Sequence, residues 1–184
     1  MRSVRAVFLD RDETLIANPG DLADPEQVVL LPEAADGVRA LHHAGWMLFV
    51  VTNQGGVARG AFTMDDVDAT NARVQAVLAQ ATEIEQPIQA FYACPWHPKG
   101  VVTEYASEHP WRKPSPGMLL AAAEEFDVDL RASWLVGDAP RDIAAGAAAG
   151  CRTVLLGEGA CDPEPTHRCR SLVEAASCIC DGAS

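Results

Sequence analysis

Short apolar runs alternate with segments of helical periodicity along this chain, and this alternation constrains the fold more than any other feature. Residues 4–9 and 46–52 are two such runs, each long enough for a buried strand. Between them, the stretch PEAADGVRALHHAG has the spacing of a helix, with Pro32 near its start and Gly45 as a stop signal. This order of elements predicts a βαβ unit with two parallel strands.

The same alternation recurs further along and predicts an α/β fold. Two helix starts carry clear signals, an N-cap residue at Thr63 and the pair Ser115 and Pro116. We therefore expect a mostly parallel sheet between helices, with residues 1–184 forming a single domain. The further predicted strands are 88–94, 133–138 and 152–156, the further helices 63–81, 115–126, 140–150 and 171–177, and the long loops 17–27, 98–111 and 157–167.

Composition limits the partners of this chain. Its 14 Lys and Arg residues against 26 Asp and Glu residues give a formal net charge of -12. This charge repels polyanions, so neither nucleic acid nor an anionic membrane is an expected partner. The sequence shows neither a membrane-spanning apolar run nor a signal-type segment, so we expect a cytoplasmic protein, and a monomer. Its six cysteines should then be reduced thiols.

Polar side chains follow three of the predicted strands at the point where each strand ends. The carboxyl ends of parallel strands share one edge of a sheet, which is where α/β proteins bind ligands. Carboxylates gathered at such an edge repel one another, and oxygen-rich clusters of this kind predict Mg²⁺. The residues are Asp10 and Asp12 after the first strand, Thr52 and Asn53 at the end of the second, Asp138 and Asp142 after the strand at 133–138, and Lys113 just before a helix.

This set of groups suits phosphoryl transfer. A carboxylate can attack phosphorus and form an aspartyl-phosphate, which divides one difficult hydrolysis into two easier steps. A hydroxyl and an amide can hold the phosphoryl oxygens, and a lysine can neutralise them. Taken singly, Thr52 could be a turn hydroxyl, Lys113 a surface cation and Asp138 a helix N-cap. Their joint placement favours one shared site.

Four motifs, in order, resemble those of the haloacid-dehalogenase superfamily of aspartate-nucleophile phosphatases: DRDET, VVTNQ, RKPSPGM and VGDAPRD. Together with VTNQGGVARGAFT and CPWHPKGVV, they are similar to the subgroup of heptose 1,7-bisphosphate phosphatases and histidinol phosphatases. The resemblance implies a Rossmann-like fold without a large cap domain. It also implies Mg²⁺-dependent hydrolysis of a small phosphorylated metabolite, with heptose 1,7-bisphosphate as the first expected substrate.

The resemblance further implies roles for individual residues. Asp10 would be the nucleophile and Asp12 the general acid and base. Asp10, the backbone carbonyl of Asp12 and Asp138 would bind Mg²⁺. The remaining positions are Thr52 and Lys113 as ligands of the transferring phosphoryl group, Asn53, Arg59 and Arg112 as substrate contacts, with Arg59 suited to a second phosphate, and Asp142 as a residue that supports the site indirectly.

The chain departs from the family pattern in two places, the first motif and the loop after the third strand. The first motif usually has glycine after its second aspartate, whereas this chain has Glu13. The family also commonly holds the loop after its third strand with a structural zinc. Because tryptophan cannot ligate a metal, zinc is not expected here, and Trp96 and Trp111 could form an apolar clasp in its place. The four matching positions read Cys94, Trp96, His109 and Trp111, with His97 as a further remnant of the ligand set.

Several alternatives remain open at this point. The substrate could be histidinol phosphate or another sugar phosphate. The chain could also be a non-catalytic relative that binds a phosphorylated ligand, which Glu13 and the altered zinc loop would favour. A phospho-accepting receiver domain is a third alternative, but receivers resemble an acidic pair first and an acceptor aspartate on a later strand. Here the candidate acceptor, Asp10, is in the first motif.

Overall fold

Six short strands form one sheet in the computed structural model, which describes residues 4–18 and 20–182. Single 3-10 turns lie at Pro25–Gln27 and Leu130–Ala132. The strands are β1 (Ala6–Leu9), β2 (Met47–Asn53), β3 (Ala90–Cys94), β4 (Trp134–Gly137), β5 (Arg152–Leu156) and β6 (His167–Cys169). The helices are α1 (Ala34–His43), α2 (Met64–Thr82), α3 (Gly117–Phe126), α4 (Pro140–Ala149) and α5 (Leu172–Asp181).

The strand order is β3-β2-β1-β4-β5-β6, and every pairing between neighbours is parallel. The chain therefore moves outward from β1 to β3, returns to the centre and continues outward on the other side through β4. Strands β1 and β4 meet at the point where this direction reverses. In doubly wound sheets, the crevice beyond the carboxyl ends of such strands is the usual ligand site. The predicted α/β fold with a parallel sheet is confirmed.

Both faces of the sheet are buried, which explains why its strands read as continuous apolar runs. Along β1, Val7 and Leu9 pack with apolar residues of α1, α2 and α5. The alternate residues Ala6 and Phe8 pack on the opposite face with residues of α3 and α4. The sheet is thus fixed between two helical layers, so the residues that leave its carboxyl edge have a rigid base.

The predicted helices and strands are present, and most of their bounds agree to within two residues. Thr63 caps α2 as expected, and its hydroxyl oxygen accepts a hydrogen bond from the backbone N–H of Asp66. The segment 157–167, interpreted as a loop, ends inside β6, a strand that the sequence did not reveal because it is only three residues long and mostly exposed. Helix α5 also continues to Asp181, beyond the predicted end at 177.

None of the helices in the part of the chain that the structure describes is both long enough and apolar enough to cross a membrane.

Candidate active site

Three carboxylates converge at the carboxyl edge of β1 and β4. Asp10 follows β1 directly, and its backbone N–H donates a 2.9 Å hydrogen bond to the carbonyl of Val136 in β4. Asp138 follows β4, and Asp142 lies in the first turn of α4. One oxygen from each of these three carboxylates lies within 4.8 Å of the other two. The predicted meeting of the first and fourth motifs is therefore present in the fold.

A glycine makes room for the third carboxylate. A Cβ added to Gly137 would lie 2.5 Å from both Cβ and Cγ of Asp142, well inside contact distance. Asp142 is fully buried, and its Oδ2 accepts a 3.1 Å hydrogen bond from the backbone N–H of Ala139 just before the helix. The carboxylate is thus fixed at the end of β4, in contact with the site itself and not only supporting it from a distance.

Lys113 supplies the positive charge within this cluster. Its side chain is fully buried, and its Nζ lies 2.9 Å from Asp10 Oδ1 and 2.6 Å from Asp142 Oδ1. Both contacts are ion pairs. Nζ also donates a 2.8 Å hydrogen bond to the carbonyl of Val51. Burial lowers the pKa of Lys113, but Asp10 and Asp142 raise it by more, so the amine stays protonated.

One lysine does not neutralise three carboxylates, of which those of Asp10 and Asp142 are buried and that of Asp138 is half-buried. Burial raises the pKa of Asp10 to about 7, and repulsion from Asp142 adds to this effect while Lys113 opposes it. The pKa of Asp138 is also raised, first by burial and then by Asp142. In addition, the buried Oδ1 of Asp138 has no hydrogen-bond partner among the described residues. A cation bound here would satisfy this oxygen and relieve the repulsion.

The donor set fits magnesium. All three side chains offer carboxylate oxygens, the ligand type that hard divalent cations prefer. One oxygen from each lies within 4.8 Å of the other two, so the three carboxylates form one cluster. Asp10, Asp138 and Asp142 are therefore the side chains suited to hold the ion, whereas the Asp12 carboxylate lies outside this group.

Asp12 points towards a cavity and is held by two neighbours that the sequence analysis did not assign. The buried guanidinium of Arg11 donates to its Oδ1 over 3.1 Å, and Gln54 Nε2 donates to its Oδ2 over 2.9 Å. Gln54 Nε2 also donates to Thr52 Oγ1 over 2.8 Å. Arg11 in turn bonds to Asn71 in α2 over 3.0 Å. These bonds fix the orientation of Asp12 relative to β1 and β2.

Asn53 forms a clamp with the segment that carries Lys113. Its Nδ2 donates to the backbone carbonyl of Lys113, and its Oδ1 accepts from the backbone N–H of the same residue, both over 3.0 Å. This pair of bonds joins the end of β2 to a residue 60 positions later in the chain. Asn53 was predicted as a substrate contact. It does line the cavity, but both polar ends of its amide are used to place Lys113.

A cavity of about 310 Å³ lies above the acidic edge. Its lining includes the carboxylates of Asp12, Glu13, Asp21 and Asp138. It also includes three arginines that reach solvent and are called the rim arginines: Arg59, Arg112 and Arg141. Arg59 and Arg112 were predicted as substrate contacts, and a Cβ added to Gly55 would lie 3.2 Å from the first and 3.4 Å from the second, so the two guanidiniums flank this glycine. Arg141 was quoted in the fourth motif but was not assigned a role. A cavity lined by both carboxylates and arginines suits an anion that bridges a metal and a cationic rim.

Glu13 stands where the first motif of the family usually has glycine, and its side chain is not part of the cluster of Asp10, Asp138 and Asp142. Its φ of 56° is in the left-handed region, which explains why glycine is common there. Its side chain is exposed to solvent, and its Oε1 accepts a 2.6 Å hydrogen bond from the backbone N–H of Asn18. That bond closes the loop after β1 and compensates part of the backbone strain.

The loop after β3 is packed by aromatic rings. The ring of His109 stacks on Trp96 with centroids 3.7 Å apart, and Tyr105 packs edge-on against the same indole. Trp111 contacts His109 edge-on at 6.2 Å, so the expected clasp of two tryptophans has a histidine between its members. Cys94 is buried beneath this loop, and burial raises the pKa of its thiol. His97 Nδ1 accepts a 3.0 Å hydrogen bond from the backbone N–H of Lys99.

The doubly wound sheet and its acidic carboxyl edge define a protein of the HAD-like hydrolase class. A family model described as HAD-hydrolase-like matches residues 110–180, which contain Lys113, Asp138 and Asp142. The D-glycero-alpha-D-manno-heptose-1,7-bisphosphate 7-phosphatase of Burkholderia mallei is 42% identical over 83% of this chain and 79% of its own length. The D-glycero-D-manno-heptose-1,7-bisphosphate 7-phosphatase of Thermosynechococcus vestitus is 38% identical, with 95% of each chain covered.

The solved structures agree with these relatives. The D,D-heptose 1,7-bisphosphate phosphatase of B. bronchiseptica, complexed with magnesium and phosphate, superposes with a TM-score of 0.83 and is 30% identical. The match covers 98% of this chain and 100% of the other. The chain belongs to the HAD superfamily, in the family that contains the heptose 1,7-bisphosphate 7-phosphatases. The resemblance predicted from the four motifs is thus confirmed.

Proposed function

We propose that this protein is a Mg²⁺-dependent phosphatase that removes the 7-phosphate of D-glycero-D-manno-heptose 1,7-bisphosphate. The observation that carries the proposal is the cluster of Asp10, Asp138 and Asp142, with a buried unpartnered oxygen, beside Lys113 and below an arginine-rimmed cavity. The names of its relatives support the choice of substrate. When bound, Mg²⁺ would neutralise charge on the transferring phosphoryl group and help to keep the carboxylates ionised.

In the first chemical step, the Asp10 carboxylate attacks phosphorus. An Asp10 oxygen forms the new bond to phosphorus, the bond from phosphorus to the sugar oxygen breaks, and Asp12 gives its proton to the leaving sugar alkoxide. In the second step, Asp12 takes a proton from water, which attacks the same phosphorus. The bond to Asp10 then breaks, and inorganic phosphate leaves. Because Arg11 and Gln54 fix the Asp12 carboxylate, its proton-transferring oxygen has a defined orientation.

The other side chains of the site bind the substrate or hold neighbouring residues in position. Lys113 favours the ionised form of Asp10 and offers its charge to the phosphoryl oxygens, while Thr52 provides a hydroxyl at the same edge. Asn53 holds the backbone of Lys113 in register with β2. Arg59 and Arg112 attract the anionic substrate to the mouth of the cavity. In this proposal, Asp12 contributes its backbone carbonyl to the metal, in addition to its role in proton transfer.

The test is phosphate release by the purified protein with Mg²⁺. Substrates are heptose 1,7-bisphosphate, histidinol phosphate and simple sugar phosphates. Asp10→Asn should abolish turnover, whereas the matched variant Asp68→Asn, on the exposed surface of α2, should not change it. Faster hydrolysis of histidinol phosphate would show that this compound, and not the heptose bisphosphate, is the substrate. Binding of the bisphosphate without turnover would show a non-catalytic binding protein and contradict the proposal.

We further propose that the aromatic cluster of Trp96, Tyr105, His109 and Trp111 holds the loop after β3 without structural zinc. Stacked and edge-on aromatic contacts contribute about 0.5 to 1.5 kcal/mol per pair beyond their buried area, so three such contacts stabilise the loop. A chelator should leave the melting temperature of the Mg²⁺-free protein unchanged, and Trp96→Ala should lower it. Stoichiometric zinc in elemental analysis would contradict this proposal.

We also propose that residues 1–184 form one domain and that the protein is a cytoplasmic monomer. All strands of the described residues belong to one sheet, which supports the single domain. Its cysteines are free thiols, including Cys169 and Cys178 with sulfurs 3.8 Å apart, which fits a reducing compartment. Light scattering coupled to size-exclusion chromatography would test the monomer, and a mass twice that of the 19.6 kDa chain would contradict it.

A further inference from the structure

Arg141 is the one rim arginine without a bonding partner among the residues that the structure describes. It is the second residue of α4, it is exposed, and it lines the same cavity as Arg59 and Arg112. Arg59 forms a 2.6 Å ion pair with Asp21, and Arg112 donates a 3.1 Å hydrogen bond to the carbonyl of Trp96. By contrast, the guanidinium of Arg141 makes neither a hydrogen bond nor an ion pair within that part of the chain.

The guanidinium of Arg141 lies close enough to Arg112 and Asp138 to act on both. The pKa of Arg112 is lowered by burial first, and repulsion from Arg141 and from Arg59 lowers it further. Attraction to Arg141 lowers the pKa of Asp138, although burial and Asp142 raise it overall. Two like charges that face one cavity repel each other until an anion lies between them.

The position of Arg141 relative to the nucleophile indicates which part of a substrate it meets. Asp10 is only 2% exposed, and it does not line the cavity, so the reacting phosphate must be held at the deep end beside Lys113. Arg112 and Arg141 are at the rim. An anionic group bound by these two arginines would therefore be on the part of the substrate that does not react.

We infer that Arg141, together with Arg112, binds a second anionic group of the substrate, a phosphate carried at a distance from the reacting one. The planar guanidinium forks of two arginines match the oxygen atoms of a phosphate through bidentate hydrogen bonds. This inference rests on the proposed phosphatase function and adds to it a residue that sets the preference for bisphosphates over monophosphates.

The first experiment compares two substrates that differ only in the distal phosphate, heptose 1,7-bisphosphate and heptose 7-phosphate. For Arg141→Ala, the ratio of kcat/KM for the bisphosphate to that for the monophosphate should fall by about tenfold or more, the usual cost of losing a charged hydrogen-bonding partner. Arg141→Lys should keep part of the ratio, because it keeps the charge without the fork. A fall of less than tenfold for Arg141→Ala, including equal losses on both substrates, overturns the inference.

Arg131 provides the matched control. It is an exposed arginine in the 3-10 turn that precedes β4, whereas Arg141 follows β4, so the two residues lie at opposite ends of the same strand. Arg131→Ala removes the same charge from the protein without reaching the cavity. For Arg131→Ala, the ratio of kcat/KM for the bisphosphate to that for the monophosphate should equal the wild-type ratio. A fall as large as that of Arg141→Ala would show a general charge effect and overturn the inference.

A double-mutant cycle tests whether Arg112 and Arg141 share one anion. If they do, the combined loss in Arg112→Ala/Arg141→Ala should be smaller than the product of the two single losses, because either variant alone already weakens the hold on the group. If the loss in the double variant equals the product of the two single losses, the two arginines act on separate anionic groups, and the shared site is overturned.

Binding measurements separate failure of this inference from failure of the proposed function. In an Asp10→Asn background, calorimetry of the bisphosphate and the monophosphate needs no turnover. Arg141→Ala should weaken binding of the bisphosphate at least tenfold more than that of the monophosphate, and equal weakening would overturn the inference. If the wild type turns over neither compound, the phosphatase proposal fails while this binding comparison still decides the role of Arg141.

Discussion

Replacing Gly137 by alanine should displace the Asp142 carboxylate at the acidic edge through a steric clash. The new methyl group would lie 2.5 Å from Cβ and Cγ of Asp142 and 2.6 Å from its Oδ2. Optimal contacts between carbon atoms are about 3.5 to 4.0 Å, so the carboxylate must shift by about 1 Å. Asp142 is fully buried, so it has no solvent into which it can move. Its ion pair with Lys113 and its hydrogen bond from Ala139 would both be distorted.

The expected loss follows from these contacts. Overpacking a core costs about 1 to 3 kcal/mol, and breaking a buried charged pair costs about 3 to 5 kcal/mol when it is lost completely. Because Lys113 keeps Asp10 as a partner, we expect a loss of about 3 kcal/mol for Gly137→Ala. For a chain of this size, that lowers the melting temperature by roughly 6 to 12 °C.

Thermal unfolding followed by circular dichroism measures this loss, and titration with Mg²⁺ during the same assay measures metal binding as added stability. Gly159→Ala is the control, because a Cβ there meets no atom within 4 Å. It should change stability by less than about 1 kcal/mol. If Gly137→Ala unfolds at the same temperature as the control and gains the same stability from Mg²⁺, the assigned clash and its effect on the acidic cluster are refuted.

Three further perturbations test other parts of the site and fold. Gln54→Ala should lower kcat by about tenfold with a smaller change in KM, because it frees the Asp12 carboxylate without removing it; an unchanged kcat would contradict this role. Lys113→Met should destabilise the protein by about 3 to 5 kcal/mol in urea unfolding, because it leaves two buried carboxylates without their cation; a loss below 1 kcal/mol would contradict it. Diamide, an azo oxidant, should take two protons and two electrons from Cys169 and Cys178 and join their sulfurs, which are 3.8 Å apart, and peptide mapping that shows both thiols still free would contradict this contact.

The sequence alone was sufficient for the fold class and for placing Asp10 and Asp138 at the same edge of the sheet. Alternation of apolar runs with helical segments predicted a parallel sheet, and the sheet is present. Asp10, Thr52 and Asp138 could be placed at one edge because each follows or ends a strand, and parallel strands end at the same edge. The motifs added the order of the groups, and the comparisons with relatives confirmed the family.

The long-range contacts were decided by the tertiary structure. Asn53 was predicted to touch substrate, yet its amide holds the backbone of Lys113, a residue 60 positions away. Gln54 and Arg11 were quoted in the motifs without a role, but the fold turns both towards Asp12. The motif letters report residue types at given positions, whereas the partner of a side chain depends on which strands and loops are brought beside it.

The same reason explains the elements and contacts that the sequence did not reveal. Strand β6 is too short and too exposed to produce a periodic signal, so only its pairing with β5 identifies it. The stacking of His109 on Trp96 and the clash that excludes a side chain at Gly137 depend on distances across the fold. Local pattern therefore determined where the polar groups leave the sheet, and packing determined which of them meet. Within the described part of the chain, that packing also gave Arg141, at the rim of the cavity, neither a hydrogen bond nor an ion pair.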